Sequence, residues 1–400
     1  MLNRKNTLCC AAMPDSTDSS NFLYIDNADA LSSLCQQLSN DDWLAVDTEF
    51  VRDSTYYPEF CLLQIGNQTV SACIDVLAID DLSPLLELLF NPDCIKVFHA
   101  ATQDLELFFH LCQRIPFPIF DTQLAAPLLG FAEQAGYATL VNQYIGVQLG
   151  KGQQRTDWSK RPLSDAQLSY AADDVRYLAQ LYPKMRDSLI ERGRMDWLSA
   201  DFEQLVRIEK YDVPIEDSWR RIKATKKLKG TRLRAAQRLA AWREVTARSA
   251  NKPRNWIVHD DALIDIATML PTDRDALSRV RSLKGRSGER YYDFLLQEVQ
   301  AAKADPAPAP QNEKQVSTEP VDAALVDLLM ALVQLRAEEH QINANLLASR
   351  KSLEQALRGD EDSLVLKGWR APLIGDDIRR MINGELALSI HNKRLAINTI

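Results

Sequence analysis

The sequence predicts an α/β protein in which a mixed-sheet domain is followed by two small all-α domains. Three observations carry this. Short β-branched apolar runs cluster between residues 43 and 100, and helical periods dominate after them. A Pro- and Ala-rich stretch, ADPAPAPQNEKQVSTEP, then interrupts the helical region near its end. At 400 residues the chain is also too long for one ordinary core. The expected division is a disordered leader over 1–20, an α/β domain over 21–204, a helical domain over 205–302, a linker over 303–320 and a second helical domain over 321–400.

Taken in order, WLAVDTEFV, FCLLQIGN and SACIDVL read as three consecutive strands bounded by turn residues. LSPLLELLF reads as a helix, with Ser83 as its N-cap and Pro84 in its first turn. CIKVFHA is then a fourth strand, and TQDLELFFHL is a helix entered from it. DTQLAAPLLG and the long segment LSDAQLSYAADDVRYLAQLYPKMRDSLI are helical. Strands that pair in sequence and then alternate with helices indicate a mixed sheet. The next segment has helical periods broken at Lys252-Pro253 and Leu270-Pro271, and the tail LALSIHNKRLAINTI is strand-like.

Composition excludes several function classes. Apolar residues make up 46% of the chain and charged residues 26%, as in ordinary globular proteins, and no apolar run approaches the ~20 residues needed to cross a bilayer. The seven cysteines lack C-x-x-C spacing and all lie in the first third of the chain, which suits neither a disulfide framework nor a zinc site. A reducing cytoplasm is the expected compartment. The net charge of −8 hides an asymmetry: residues 205–300 hold 21 Lys/Arg against 13 Asp/Glu. Between 220 and 254 there are 13 basic residues and the single acid Glu244. Such a stretch is either a solvated helix face or a surface for a polyanion, and its density favours nucleic acid. Lys223, Lys226, Lys227, Arg232 and Arg234 are the candidate phosphate contacts.

Three weak signals carry chemistry. Asp47 and Glu49 lie two apart on a strand and so share a face, where they repel unless a cation sits between them; the alternative is that both face water. Asp104 opens a helix just after a strand, where a solvated, dipole-favoured acid is equally natural. Tyr170 and Asp174 lie four apart on one helical face, while Asp173 points elsewhere. His99, at the end of an apolar strand, reads as a structural histidine. Phe50, beside the acids, can stack on a base or pack in the core.

The conjunction is more specific than its parts. D-x-E in VDTEF, H-x4-D in HAATQDLELF and Y-x3-D in YAADDVRYL resemble, in order, the motifs of the DEDD exonuclease superfamily in its tyrosine-bearing branch. FDTQLAAPLLG, KGQQRTDWSKRPLSDAQLSYAADD and NGELALSIHNKRLAI extend a resemblance to the ribonuclease D family over nearly the whole chain. That resemblance implies a ribonuclease H-like exonuclease domain and two helicase-and-RNase-D C-terminal (HRDC) domains. It implies 3′→5′ hydrolysis of RNA, with tRNA precursors and other small RNAs as substrates, and two divalent ions, magnesium or manganese. Asp47, Glu49 and Asp174 would hold the ion that activates water, Asp47 and Asp104 the ion near the leaving group, and Tyr170 would orient the water. A DNA exonuclease and a non-catalytic RNA-binding adaptor are the alternatives, and a monomer is the default.

Overall fold

The computed structural model describes residues 22–150, 152–153, 156–283, 289–305 and 320–400. The leader expected over 1–20 and most of the linker expected over 303–320 lie outside the described residues.

Six strands form one mixed sheet: β1 (Leu23–Ile25), β2 (Trp43–Val51), β3 (Glu59–Gly66), β4 (Ser71–Ile74), β5 (Ile95–Phe98) and β6 (Ile119–Asp121), in the spatial order β1-β4-β3-β2-β5-β6. The β2–β3 and β3–β4 pairs are antiparallel, and the β1–β4, β2–β5 and β5–β6 pairs are parallel. The helices of this unit include α1 (Ala28–Leu38), α2 (Ser83–Leu89), α3 (Thr102–Cys112), α4 (Thr122–Ala125), α5 (Tyr137–Ile145), α6 (Asp165–Glu191) and α7 (Ser199–Leu205). Near-continuous apolar runs such as Leu62–Leu63 and Val97–Phe98 are buried on both sides, as expected of strands covered by helices.

The 27-residue α6 starts at a capping box, in which Ser164 and Gln167 satisfy each other's backbone donors. It lies across β2, β3, β4 and β5. Its Leu178, Leu181, Met185 and Leu189 are buried, each worth roughly 1.5–3 kcal/mol relative to exposure. The chain before α6 is lashed to the sheet by Arg161, which forks onto Asp75 of the β4 end at 2.5 and 2.7 Å and also donates to the carbonyl of Cys61.

Some expectations are corrected. Ser83 is the first residue of α2 rather than its cap; the cap position is Leu82, and the Asp81 carboxylate accepts the Ser83 N–H at 2.9 Å instead. DTQLAAPLLG splits into the single turn α4 and a 3-10 segment, Ala126–Leu129, around Pro127. The strand-like tail is a hairpin of β7 (Leu386–His391) and β8 (Arg394–Thr399).

The first helical unit is built from α8 (Gly230–Ser249), α10 (Asp260–Met269) and the helix Tyr292–Ala304, with the turn α9 (Arg254–Ile257) between the first two. Both expected breaks occur, α8 stopping before Pro253 and α10 before Pro271. A loop of the sheet unit enters this core. Tyr56 is buried among Trp219, Leu233 and Ile257, and its hydroxyl donates to Glu244, which Arg254 and Arg248 also hold. Glu244, the single acid of the basic stretch, is thereby explained as an internal ligand for its neighbours.

The C-terminal unit, with helices Ala323–His340, Arg350–Leu357 and Asp376–Ile382, docks on the 126–131 segment of the sheet unit. Arg194 donates to the carbonyls of Leu128 (2.6 Å) and His340, and the rings of Trp197 and Trp369 stack at 4.8 Å, 1° from parallel. Replacing Arg194 with Ala strips two buried carbonyls of a donor. We expect a loss of about 1–3 kcal/mol and faster hydrogen exchange at the Asn343 amide, which donates to the carbonyl of Pro127 at 3.2 Å; unchanged exchange there would show that the docking does not depend on Arg194.

Candidate active site

Strand geometry places the first two acids. Asp47 and Glu49 alternate with Val46 and Thr48, so they share a face of β2. A β-bulge follows at once: Glu49 pairs with Leu62 and Phe50 with Phe60, leaving Cys61 as the extra residue. Bulges of this kind bend a strand beside a functional site.

The third acid arrives through a gap in the sheet. β5 pairs with β2 only over Trp43–Ala45, which leaves the edge of β2 open from Val46 onward. The chain leaves β5 there and turns into α3 at Ala100, whose φ is 63°. Asp121 at the end of β6 braces the turn by accepting the N–H groups of Ala100 (3.1 Å) and Ala101 (2.9 Å), and it also caps α4. Asp104 in the first turn of α3 thus reaches the open edge, where it accepts the Thr48 hydroxyl at 2.5 Å.

The fourth acid comes down on α6. Tyr170 and Asp174 share a face one turn apart, and the Tyr170 hydroxyl hydrogen-bonds the Asp174 carboxylate. Small residues, Ala171 and Ala172, let that part of the helix sit close to Leu62 and Cys73 of the sheet. The Tyr137 hydroxyl donates to the backbone carbonyl of Asp174. Gly152 lies flat against the Tyr170 ring: a Cβ there would come within 2.0 Å of Cε2. Asp173 points away and pairs with Arg176 at 2.6 Å.

Asp47, Glu49 and Asp174 each offer an oxygen within 4.8 Å of the others. Asp104 lies outside this triad but is buried and repels Asp47. Burial first, and then repulsion by Asp47, Asp174 and Asp104, pushes Glu49 up to about 9. Burial lifts Asp174 to about 7 against the Tyr170 hydrogen bond, and burial plus the charge of Asp174 holds Asp47 well above the usual carboxylate range. Among the described residues, the side-chain charges acting on Asp47, Glu49 and Asp174 are carboxylates. A hard, oxygen-only donor set with no counter-charge among the described residues fits a divalent cation of the magnesium or manganese type.

Beside the acids is a cavity of about 400 Å³ lined by Asp47, His99, Tyr137, Tyr170, Asp174 and Leu178 among others. His99 has the structural bond expected of it and also a face on the cavity. The Thr122 hydroxyl donates to the carbonyl of Phe98, so it accepts from His99 Nδ1 at 2.9 Å, which leaves Nε2 as a bare acceptor. Burial pushes the His99 pKa down, keeping the ring neutral.

Of the basic residues, Lys223, Lys226, Lys227 and Arg232 are exposed. Arg234 differs, because its guanidinium is turned onto the carbonyl of Asp305 and the Asp305 carboxylate at 3.6 Å, bracing the end of the helix Tyr292–Ala304. Sequence reasoning does not single out Asp121, Tyr137 or Gln64. Their partners are remote in sequence, and only Asp121, directly before a Thr-initiated helix, carries a local signal, as an N-cap.

Residues 22–190 match the 3′-5′ exonuclease family and residues 232–299 the HRDC domain family. The chain is 39% identical over 384 residues to ribonuclease D of Zymomonas mobilis subsp. mobilis, covering 94% of this chain and 98% of that protein. The chain belongs to the ribonuclease D family. A second ribonuclease D, from Sphingobium indicum, is 38% identical over 93% of the chain and 97% of its own length. The crystal structure of Escherichia coli RNase D, described as an exoribonuclease involved in structured RNA processing, superimposes with a TM-score of 0.79 at 32% identity, over 91% of this chain and 99% of that one. The activity of this ribonuclease D family member is that of a 3′→5′ exoribonuclease, and no described helix is long and apolar enough to cross a membrane.

Carboxyls whose folded pKa lies above the unfolded value stabilise the fold fully below the unfolded pKa and lose that contribution as pH rises through the folded one. With chelator present, the melting temperature should therefore fall between about pH 5 and the value of about 9 reached by Glu49. Saturating divalent metal should abolish the decline, and Asp47→Asn should flatten it. A metal-free melting temperature that rises over this range would contradict the buried repulsion.

Proposed function

We propose that this exoribonuclease trims the 3′ ends of tRNA precursors and other small structured RNAs with two divalent ions, magnesium or manganese. The observation that carries the metal reading is the half-buried triad of Asp47, Glu49 and Asp174, with no cationic side chain paired to it among the described residues. The structured-RNA reading rests on the likeness to the E. coli enzyme, and the proposed monomer and cytoplasmic location rest on the family resemblance alone. Asp47, Glu49 and Asp174 hold one ion, and Asp47 with Asp104 the other. When bound, the ions supply Lewis acidity for phosphate charge, water activation and the departing 3′ oxygen.

The protein's own groups do the positioning. The Tyr170 hydroxyl, fixed by Asp174 on one side and by Gly152 against its ring, orients the attacking water. A phenol of ordinary pKa ~10 is a poor base at neutral pH, so orientation rather than proton abstraction is its part. Phe50, just past the bulge, stacks on or wedges against the terminal nucleotide. Lys223, Lys226, Lys227 and Arg232 contact phosphates and read no sequence. A cleft of about 730 Å³ between the nuclease and first helical units supports a path for the strand. Lys210 and Arg221 line it without an ion pair among the described residues, and Trp256 stands 53% exposed at its wall. We further assign residues 321–400 to a second HRDC-type unit.

The test is hydrolysis of 5′-labelled single-stranded RNA with magnesium or manganese, with a DNA oligonucleotide in parallel. Wild type should give a ladder shortening from the 3′ end. Asp47→Ala should lose at least roughly a thousandfold in rate, the equivalent of several kcal/mol of transition-state stabilisation. Preferential cleavage of DNA, or RNA binding without cleavage, would overturn the reading. Gly152→Ala, which displaces the Tyr170 ring, should lower kcat with little change in KM.

Charge substitution tests the platform better than truncation, because Tyr56 of the nuclease unit is built into the helical core. Replacing Lys223, Lys226, Lys227 and Arg232 with Gln should shrink the slope of log affinity against log salt by roughly 0.7 for each phosphate no longer neutralised. An unchanged slope would remove these four from the interface.

A further inference from the structure

Gln64 sits directly opposite Asp47 in the antiparallel β2–β3 pair, and Cys73 sits directly opposite Gln64 on its other side. Directly opposed residues project from the same face of a sheet with Cβ atoms about 4.5–5.5 Å apart. Gln64 therefore stands beside Asp47 on the face that carries Glu49 and over which α6 lies. Its exposure is 0%, and neither Nε2 nor Oε1 has a hydrogen-bond partner. It is the one described side chain with both a donor atom and an acceptor atom left so. Burying an amide unpaired is costly, and a Leu or Met would fill the same volume without that cost.

The neighbours narrow what the amide is for. Cys73 turns its thiol to the carbonyl of Leu168 at 3.8 Å and offers Gln64 no strong partner. Asp47 has acceptor capacity to spare: a carboxylate has about four lone-pair sites, and the Thr48 N–H takes one. A Lys or Arg at position 64 would compete with a bound cation for Asp47, a carboxylate would add to the repulsion, and an apolar residue would leave Asp47 unheld. An amide donates to the carboxylate without changing the charge of the cluster.

We propose that Gln64 is a positioning residue: its Nε2, unbonded in this structure, turns to donate to the Asp47 carboxylate opposite it once a bound cation keeps that group ionised, and so fixes the rotamer in which Asp47 presents its ligand oxygen. This rests on the reading that Asp47, Glu49 and Asp174 hold a divalent ion. Partners that orient ligands in this way typically change metal affinity or activity by about 10- to 100-fold when removed.

The experiment measures Mn²⁺ binding to the full chain by calorimetry and by electron paramagnetic resonance for wild type, Gln64→Leu, Gln64→Met and Asp47→Asn. Melting of each without metal and steady-state kinetics on RNA complete it. Gln64→Leu should be at least as stable as wild type without metal, bind Mn²⁺ about 10- to 100-fold more weakly, and show lower kcat at limiting metal with KM for RNA unchanged. Gln64→Met should behave alike and covers the case in which the Leu variant fails to fold. Mn²⁺ affinity within twofold of wild type in a folded Gln64 variant, while Asp47→Asn loses binding, would overturn the role of Gln64 and leave the metal reading standing. If wild type and Asp47→Asn take up Mn²⁺ alike, the metal reading falls and this inference with it.

Discussion

Mutual repulsion among half-buried carboxylates governs this architecture. Asp47, Glu49 and Asp174 converge, with Asp104 at the strand edge, and none meets an internal cation among the described residues. Left alone, such a cluster opposes folding, so the elements that hold it must be anchored elsewhere. Each is. β2 lies between β3 and β5 in the sheet, α3 starts from a turn braced by Asp121, and the far half of α6 is buried through Leu178, Leu181 and Met185. The apolar body of the nuclease unit thereby holds together a charge arrangement that a divalent cation can relieve, and affinity for that cation follows from the repulsion it removes.

The same logic separates charge over the molecule. The acidic centre lies in the sheet unit, whereas the basic stretch forms part of a helical unit locked to it through Tyr56, Glu244, Arg248 and Arg254. That lock uses up two of the arginines that a count of charge would assign to a polyanion, and other internal pairs use more. Arg234, Arg243, Arg248 and Arg254 are engaged internally, while Lys223, Lys226, Lys227 and Arg232 stay exposed. Local charge density therefore overcounts the residues available to a polyanion, because it cannot distinguish a cation facing water from one folded onto its own chain.

Legibility tracks the length and purity of the local pattern. The nine-residue run WLAVDTEFV matches β2 residue for residue, and α3 differs from its expected range by one residue at its end. β1 and β6, three residues each, escape the sequence reading, because so short an alternation cannot distinguish a strand from a loop. Ser83 reads as the cap of α2, but the Asp81 carboxylate accepts its N–H and the helix starts at Ser83 itself. Of the candidate site, the four acids and Tyr170 are visible through their spacing and order. His99 reads as structural and does hold a structural bond, but its second face on the cavity has no local signature.

The sequence by itself determined which groups are candidates for the chemistry: carboxylates spaced for one strand face, a Tyr–Asp pair spaced for one helix face, and a basic stretch beyond them. Those facts depend only on local geometry, which periods of two and 3.6 residues encode. Tertiary structure alone decided what surrounds them. The register that sets Gln64 beside Asp47, the short β2–β5 pairing that admits Asp104, and the burial that raises Glu49 to about 9 all join residues 17 to over 100 positions apart. Hydrogen-bond partners, register and desolvation belong to the packed chain as a whole, so no window of sequence contains them.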